Sequence, residues 1–255
     1  MSTILTTLAK ELMSYFFSPV AYVIAVLFYL FRGLEVHGQV RAMAALGADR
    51  DLFSTVYMIS PSSNFMVVLV PAILTMRCFA EERRSGSLEV LMTAPVRERE
   101  VVLGKWLAAL VFFAVLWLPT LPLLLLLNSE FFLAQDLPYG PVLTGYLGLT
   151  LLGAFLLAVG CWTSSLTDNQ LLASLTAMLF NTALLVGPDM LGQQLGAQAQ
   201  EWPWHVLLDQ TRVRDHLVSW FCRGLVDTAQ LTFYLGGAVF FLFLTTKSLE
   251  ARRWR

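Results

Sequence analysis

The densest run of charge in the sequence lies between Phe79 and Lys105, where Glu81, Glu82, Arg83 and Arg84 are followed by Glu89, Arg97, Glu98, Arg99, Glu100 and Lys105. Apolar residues interrupt it at Leu88, Val90, Leu91, Met92 and Val96. Leu88, Leu91 and Met92 fall at i, i+3 and i+4 and so share one face of a short amphipathic helix, with Gly86 and Pro95 bounding it as breakers. Glu98 and Glu100 are placed to open a following helix, where carboxylates meet the positive end of the dipole. The chemistry that suits this pattern is recognition: apolar anchors enter a groove on a soluble partner while rim charges set the register. A plainer reading is a solvated loop whose charges only enforce topology. Residue types and spacing leave both open.

The remaining reactive side chains form no recognisable constellation. Gly104-Lys105 is followed by Trp106 and lacks the earlier glycine of a G-x-x-x-x-G-K-[ST] phosphate loop, so no ATP binding by that route is expected. Cys78, Cys161 and Cys222 fall in three separate segments without CxxC spacing and read as buried or idle thiols, with no disulfide framework or zinc knuckle implied. His37, His205 and His216 are all expected on one side, near Cys222 and Met190, but their spacing matches no metal-ligand pattern and surface or interfacial histidines are the plainer reading. The turn Asp168-Asn169 is either a second, smaller contact or a plain capping turn.

These residues need elements to hold them, and composition says what kind. The chain has 255 residues, 57% hydrophobic and 14% charged, with a net charge of −1; soluble domains carry about 25% charged residues. With a mean hydropathy of +0.66, this points to lipid as solvent. The expected fold is all-α and polytopic, one transmembrane domain over residues 1–255 with spans at about 19–34, 61–79, 105–127, 141–166, 170–191 and 231–246. Before the first span, Ile4, Leu5, Leu8, Leu12, Tyr15 and Phe16 recur at helical spacing beside Lys10 and Glu11, the pattern of an elbow helix lying in the membrane interface and retained rather than cleaved. Pro19 suits the first turn of the span that follows. Arg32 is expected to snorkel to the far headgroups.

Residues 35–60 read as an external loop with some helix. Pro119 and Pro122 should bend or end the third span early. Small residues at Gly145, Gly148, Gly153, Ala154, Ala158 and Gly160 suggest that the fourth span is central. Asn181 is the one strongly polar residue inside the fifth, with interhelical hydrogen bonding as its plainest role. The stretch 193–230, rich in Trp202, Trp204, Leu217, Trp220 and Phe221, suggests short external helices dipping into the outer leaflet.

Eleven basic residues (Lys10, Arg77, Arg83, Arg84, Arg97, Arg99, Lys105, Lys247, Arg252, Arg253, Arg255) group on the side of the termini. Six (Arg32, Arg41, Arg50, Arg212, Arg214, Arg223) fall on the other. The excess puts both termini in the cytoplasm. The scarcity of ionisable groups inside the spans argues against a membrane enzyme and against a proton-driven carrier.

Taken together, the run from Phe79 to Lys105 resembles the signature loop of type-two ABC permeases, with its acidic-basic cluster, glycine, glutamate, proline and terminal Gly-Lys before the third span. More narrowly, five ordered landmarks resemble the gliding-motility-type permease subfamily: Phe17-Ser-Pro-Val-Ala-Tyr22, the segment from Thr75 to Glu89, Ser165-Leu-Thr-Asp-Asn-Gln170, Arg223-Gly-Leu-Val-Asp227 and Ser248-Leu-Glu-Ala-Arg-Arg-Trp254. Cys78 departs from it, standing where a larger apolar residue is expected.

The resemblance implies a coupling helix between the second and third spans and a bent hairpin of short, re-entrant helices before the sixth. It implies a permease subunit of a bacterial cytoplasmic (inner) membrane transporter, itself not an enzyme. The partners would be a pair of cytoplasmic ATPase subunits, which carry the ATP and Mg, and a second permease copy or paralogue meeting it through spans such as the first, second and fifth. Glu81, Glu82, Arg83, Arg84, Gly86, Leu88, Glu89, Leu91, Met92, Pro95, Arg97, Glu98, Glu100 and Lys105, with Asp168 and Asn169, would form the contact with the ATPase. An alternative of a different class is mechanical transmission to a membrane-anchored periplasmic partner without movement of a solute.

Overall fold

The structure, a computed structural model, describes residues 3–46, 61–86, 97–122, 139–195 and 210–253. Among them every regular element is helical. Helix α1 spans Thr3–Phe16, α2 Pro19–Leu46, α3 Pro61–Thr75, α4 Ala80–Arg84 and α5 Glu98–Trp117. They are followed by α6, Tyr139–Leu166, α7, Gln170–Leu195, α8, Val213–Ser219, a short 3-10 turn at Phe221–Arg223, and α9, Thr228–Arg253. Six stretches are long and apolar enough to cross a membrane: Pro19–Gly38, Ser63–Arg84, Glu98–Pro122, Gly140–Leu166, Gln170–Gln194 and Thr228–Ala251. The chain is therefore an all-α membrane protein with six candidate spans among the described residues.

Local sequence explains the ends. Pro19 sits in the first turn of α2, where its missing N–H is no loss. At 28 residues α2 is roughly 42 Å long, so its last turns project past a hydrocarbon core of about 30 Å; Glu35, His37 and Arg41 continue the helix rather than begin a loop. Regular α5 stops at Trp117, and Pro119 lies two residues on. Residues 47–60 and 123–138 lie outside the described residues, and with them residues 123–127 of the expected third span.

Helix α6 is central. It packs against α9, α7, α3 and α5 and against the 3-10 turn, and 67% of its most apolar window is buried, compared with 22% in α2 and in α7. Its small residues receive aromatic rings: a Cβ at Gly153 would overlap the Phe113 ring, and one at Gly148 would come 2.6 Å from the ring of Phe221. On the peripheral helices, Tyr22, Val23, Val26 and Leu30 of α2 and Leu171, Leu175 and Leu179 of α7 keep apolar surface open.

Arg32 does not reach outward. It is 1% exposed, pairs with Glu35 at 2.5 Å, donates to Ser63 Oγ at 2.7 Å and lies over the Trp117 ring. An acid one turn along and a hydroxyl on the neighbouring helix both take Nη1 and hold the guanidinium inside the bundle. Asn181 is fully buried, and among the described residues its amide finds no hydrogen-bond partner.

Toward the end of the chain, α8 and the 3-10 turn fold back on α6. Phe221 is buried and its carbonyl accepts from Thr144 Oγ1 at 2.5 Å, and Gly224, at φ 82°, supplies the left-handed turn that leads to α9.

Candidate functional site

Four of the charged residues singled out in the sequence, Glu82, Arg83, Lys105 and Asp168, converge where α1, the end of α3, α4, the start of α5 and the end of α6 meet. The geometry begins with a break. Helix α3 carries Pro71 in its interior and ends at Thr75, and a turn over residues 76–79 separates it from the single turn of α4. Such a break inside an apolar bundle frees backbone groups that must be satisfied locally. Ser164 of α6 does this: its Oγ accepts from the backbone N–H of Phe79 and of Ala80, each at 3.2 Å. Thr75 Oγ1 in turn donates to the Pro71 carbonyl at 2.8 Å.

One turn on, Arg83 donates to the Ser165 carbonyl at 2.8 Å and pairs with Asp168. The break and α4 are thus fastened to α6 and to the turn that follows it. That turn is also a helix cap, since Asn169 Oδ1 accepts from the Leu171 N–H at 3.0 Å. Gly86, at φ 72°, ends α4 in the left-handed conformation that a Cβ would oppose.

The second element is Lys105. It is 3% exposed, and its ammonium donates to Glu11 of α1 at 2.8 Å and to Glu82 of α4 at 2.9 Å, with the Phe79 ring 5.5 Å away. Burying an ammonium this deeply is costly unless it is paired, and here two carboxylates from two other helices pair it. One residue earlier, Gly104 lets α1 approach α5: a Cβ would come 2.8 Å from Thr7 Cβ. The Tyr15 and Phe112 rings stack at 5.4 Å and extend the same contact.

A cavity of about 320 Å³ opens between α1, α3, α4 and Lys105, with Tyr15 and Cys78 among its lining residues. The Tyr15 hydroxyl donates to the Leu74 carbonyl at 2.9 Å and lies 3.6 Å from Cys78 Sγ, and burial pushes its phenol well above the usual range.

The structure therefore brings Glu82, Arg83, Lys105 and Asp168 into one polar joint. Glu81 stays at its exposed edge, 3.9 Å from Arg77, and Arg84 and Arg97 are exposed. Glu98 and Glu100 occupy the first turn of α5 and are half-buried. Leu88, Glu89, Leu91, Met92 and Pro95 lie outside the described residues. Three participants escaped sequence reasoning. Glu11 lies beside Lys10 in α1, and a lysine destined for a bundle interior signals that some carboxylate must meet it. Ser164 lies between Thr163 and Ser165, so nothing in the sequence sets it apart. Cys161 shares a buried cluster with Cys78, a nearness that has no counterpart in spacing along the chain. Among the described residues no group of three His, Cys, Asp or Glu side chains is placed to hold a metal ion.

No curated protein matches the chain. Residues 5–246 match the family described as ABC-2 family transporter protein, which is nearly the whole length. With six apolar helices long enough to cross a membrane and a match over nearly its whole length, the chain belongs to the ABC-2 family as a membrane permease component of an ABC transporter.

Proposed function

We propose that this chain is the permease half of an ATP-driven transporter, and that a separate cytoplasmic ATPase moves it by pushing on the segment 87–96. The observation that carries the reading is the Lys105 node. Glu11, Glu82 and Lys105 tie α1, α4 and α5 together at both feet of that segment. A load applied there enters two spans at once through ion pairs held out of water, where charge pairing is stiffer than at a surface. Leu88, Leu91 and Met92 supply the apolar anchors and Glu81, Arg84, Glu89, Arg97, Glu98 and Glu100 the rim, while Asp168 and Asn169 make the smaller second contact. ATP and Mg reside on the partner.

The distribution of basic residues supports a bacterial inner membrane with both termini in the cytoplasm. Helix α1, open on one side at Leu5, Met13 and Phe16, acts as an interfacial elbow. The open apolar faces of α2 and α7 suit a second copy or paralogue. On the outer side, the α8 hairpin dips into the leaflet, as the exposed Trp220 and Leu225 beside the buried Phe221 support. The ordered landmarks support a gliding-motility-type subfamily, in which a membrane-anchored periplasmic subunit would meet the outer loops.

The test uses the full chain co-expressed with its ATPase. The double reversal Glu89→Lys and Glu100→Lys should lower ATP hydrolysis by the membrane-embedded complex by about an order of magnitude, as opposed charges at a rim become like charges. Unchanged assembly and turnover refute the assignment.

A further inference from the structure

The function proposed above does not use the two thiols at its centre. Cys78 lies in the turn between α3 and α4, one residue before Phe79, whose N–H is held by Ser164. Cys161 lies three residues before Ser164 and so on the same face of α6. The two cysteine side chains lie in one cluster of buried residues, together with Phe79, Val102 and Ala158. They flank a parallel ladder in which Thr75 meets Gly160, Phe79 and Ala80 meet Ser164, and Arg83 meets Ser165. A Cβ at Gly160 would overlap Thr75 Oγ1. Close backbone approach of this kind is what a disulfide demands, since it needs Cα atoms about 4.4–6.8 Å apart.

The thiol of Cys78 is also reachable. Cys78 lines the cavity of about 320 Å³ beneath α1. The Tyr15 hydroxyl stands 3.6 Å from its sulfur, and Lys105 lines the same cavity. An ammonium on the same cavity wall steadies the negative charge that sulfur carries during attack. The third thiol, Cys222, sits in the 3-10 turn at the opposite end of α6 and has no part in this arrangement.

We propose that Cys78 and Cys161 are an oxidation site that closes to a disulfide when a hydroperoxide enters the cavity. The Cys78 sulfur attacks the O–O bond, becomes a sulfenic acid and releases the peroxide's other oxygen as an alcohol or water. The Cys161 sulfur then displaces the hydroxyl from Cys78, forming the S–S bond and releasing water. Two thiols lose two electrons and two protons, and the hydroperoxide takes up both. The bond joins the break after α3 to α6 covalently. Where the coupling reading holds, it stops the joint from moving; the chemistry itself does not depend on that reading.

The full chain in lipid nanodiscs is treated with hydrogen peroxide, followed by intact mass and peptide mapping under non-reducing conditions. The expected result is loss of two hydrogens, a Cys78–Cys161 linked peptide within a single chain, a free Cys222, and full reversal by dithiothreitol. In the Cys161→Ser chain the same treatment should leave a sulfenic acid on Cys78 that dimedone traps. An unchanged wild-type mass, a link through Cys222 or a link between chains overturns the proposal, and the wild-type map decides alone if the variant fails to insert. ATPase coupling is measured separately, so a chain that forms the bond yet couples normally refutes the joint's role and leaves the oxidation site standing.

Discussion

Replacing Lys105 with Met tests whether the buried node holds the joint together. The ammonium lies 2.8 Å from a Glu11 oxygen and 2.9 Å from a Glu82 oxygen, so those two oxygens are at most 5.7 Å apart, the sum of the two distances. Without the cation, two carboxylates, 18% and 21% exposed, face each other. At an effective dielectric constant of about 20 their repulsion at that separation is about 3 kcal/mol. Removing one member of a buried ion pair costs roughly 3–5 kcal/mol overall. At roughly 2–4 °C per kcal/mol for a chain of this size, the thermal midpoint in nanodiscs, followed by tryptophan emission, should fall by roughly 6–20 °C. Adding Glu11→Gln and Glu82→Gln to Lys105→Met removes both orphaned charges and should restore most of the loss. A Lys105→Met chain that melts within about 2 °C of the parent, or a triple variant no better than the single one, refutes the reasoning.

Two further outcomes follow from the same contacts. Ser164→Ala deprives the buried N–H groups of Phe79 and Ala80 of their shared acceptor, at a cost of about 1–3 kcal/mol for each; hydrogen exchange at these two amides should accelerate relative to the rest of α4, and unchanged exchange counts against the Ser164 fastening. Burial lowers the His216 pKa below its ordinary value of 6.5, so the unfolded chain takes up a proton that the folded state resists. Stability of the α8 hairpin is then complete above about pH 6.5 and falls as the pH drops below it, and His216→Phe should flatten that difference between melting curves at about pH 7.5 and pH 5.5.

Hydropathy made the six spans legible because lipid-facing residues need only be apolar, and the start of α5 could be read because Glu98 and Glu100 follow the dipole rule. The break at residues 76–79 was not legible. An apolar run through Phe79 reads as continuous helix, and the acceptor that permits the break, Ser164, is 85 residues away from Phe79. Arg32 failed for a related reason. Its place near the end of an apolar run suggested reach toward headgroups, yet Glu35 one turn on and Ser63 on the next helix hold it inside. At the functional joint, Glu82, Arg83 and Lys105 stood out by charge, whereas Glu11, Tyr15 and the thiol pair acquire their meaning only when α1, α3 and α6 come together. Contacts between segments carry no periodicity, and periodicity is what sequence reading detects.

The bridge from Glu11 to Lys105 crosses 94 positions of the chain. A ribosome adding about 5–20 residues per second completes α1 roughly 5–20 s before its ionic partner emerges. In that interval the leading helix has only its greasy side with which to hold the bilayer, and its acid waits in water. Docking of the amino-terminal helix is thus a late event in biogenesis, and it is gated by arrival of the third span. Nascent chains arrested ahead of residue 105 should leave that helix open to protease, and longer ones should shield it.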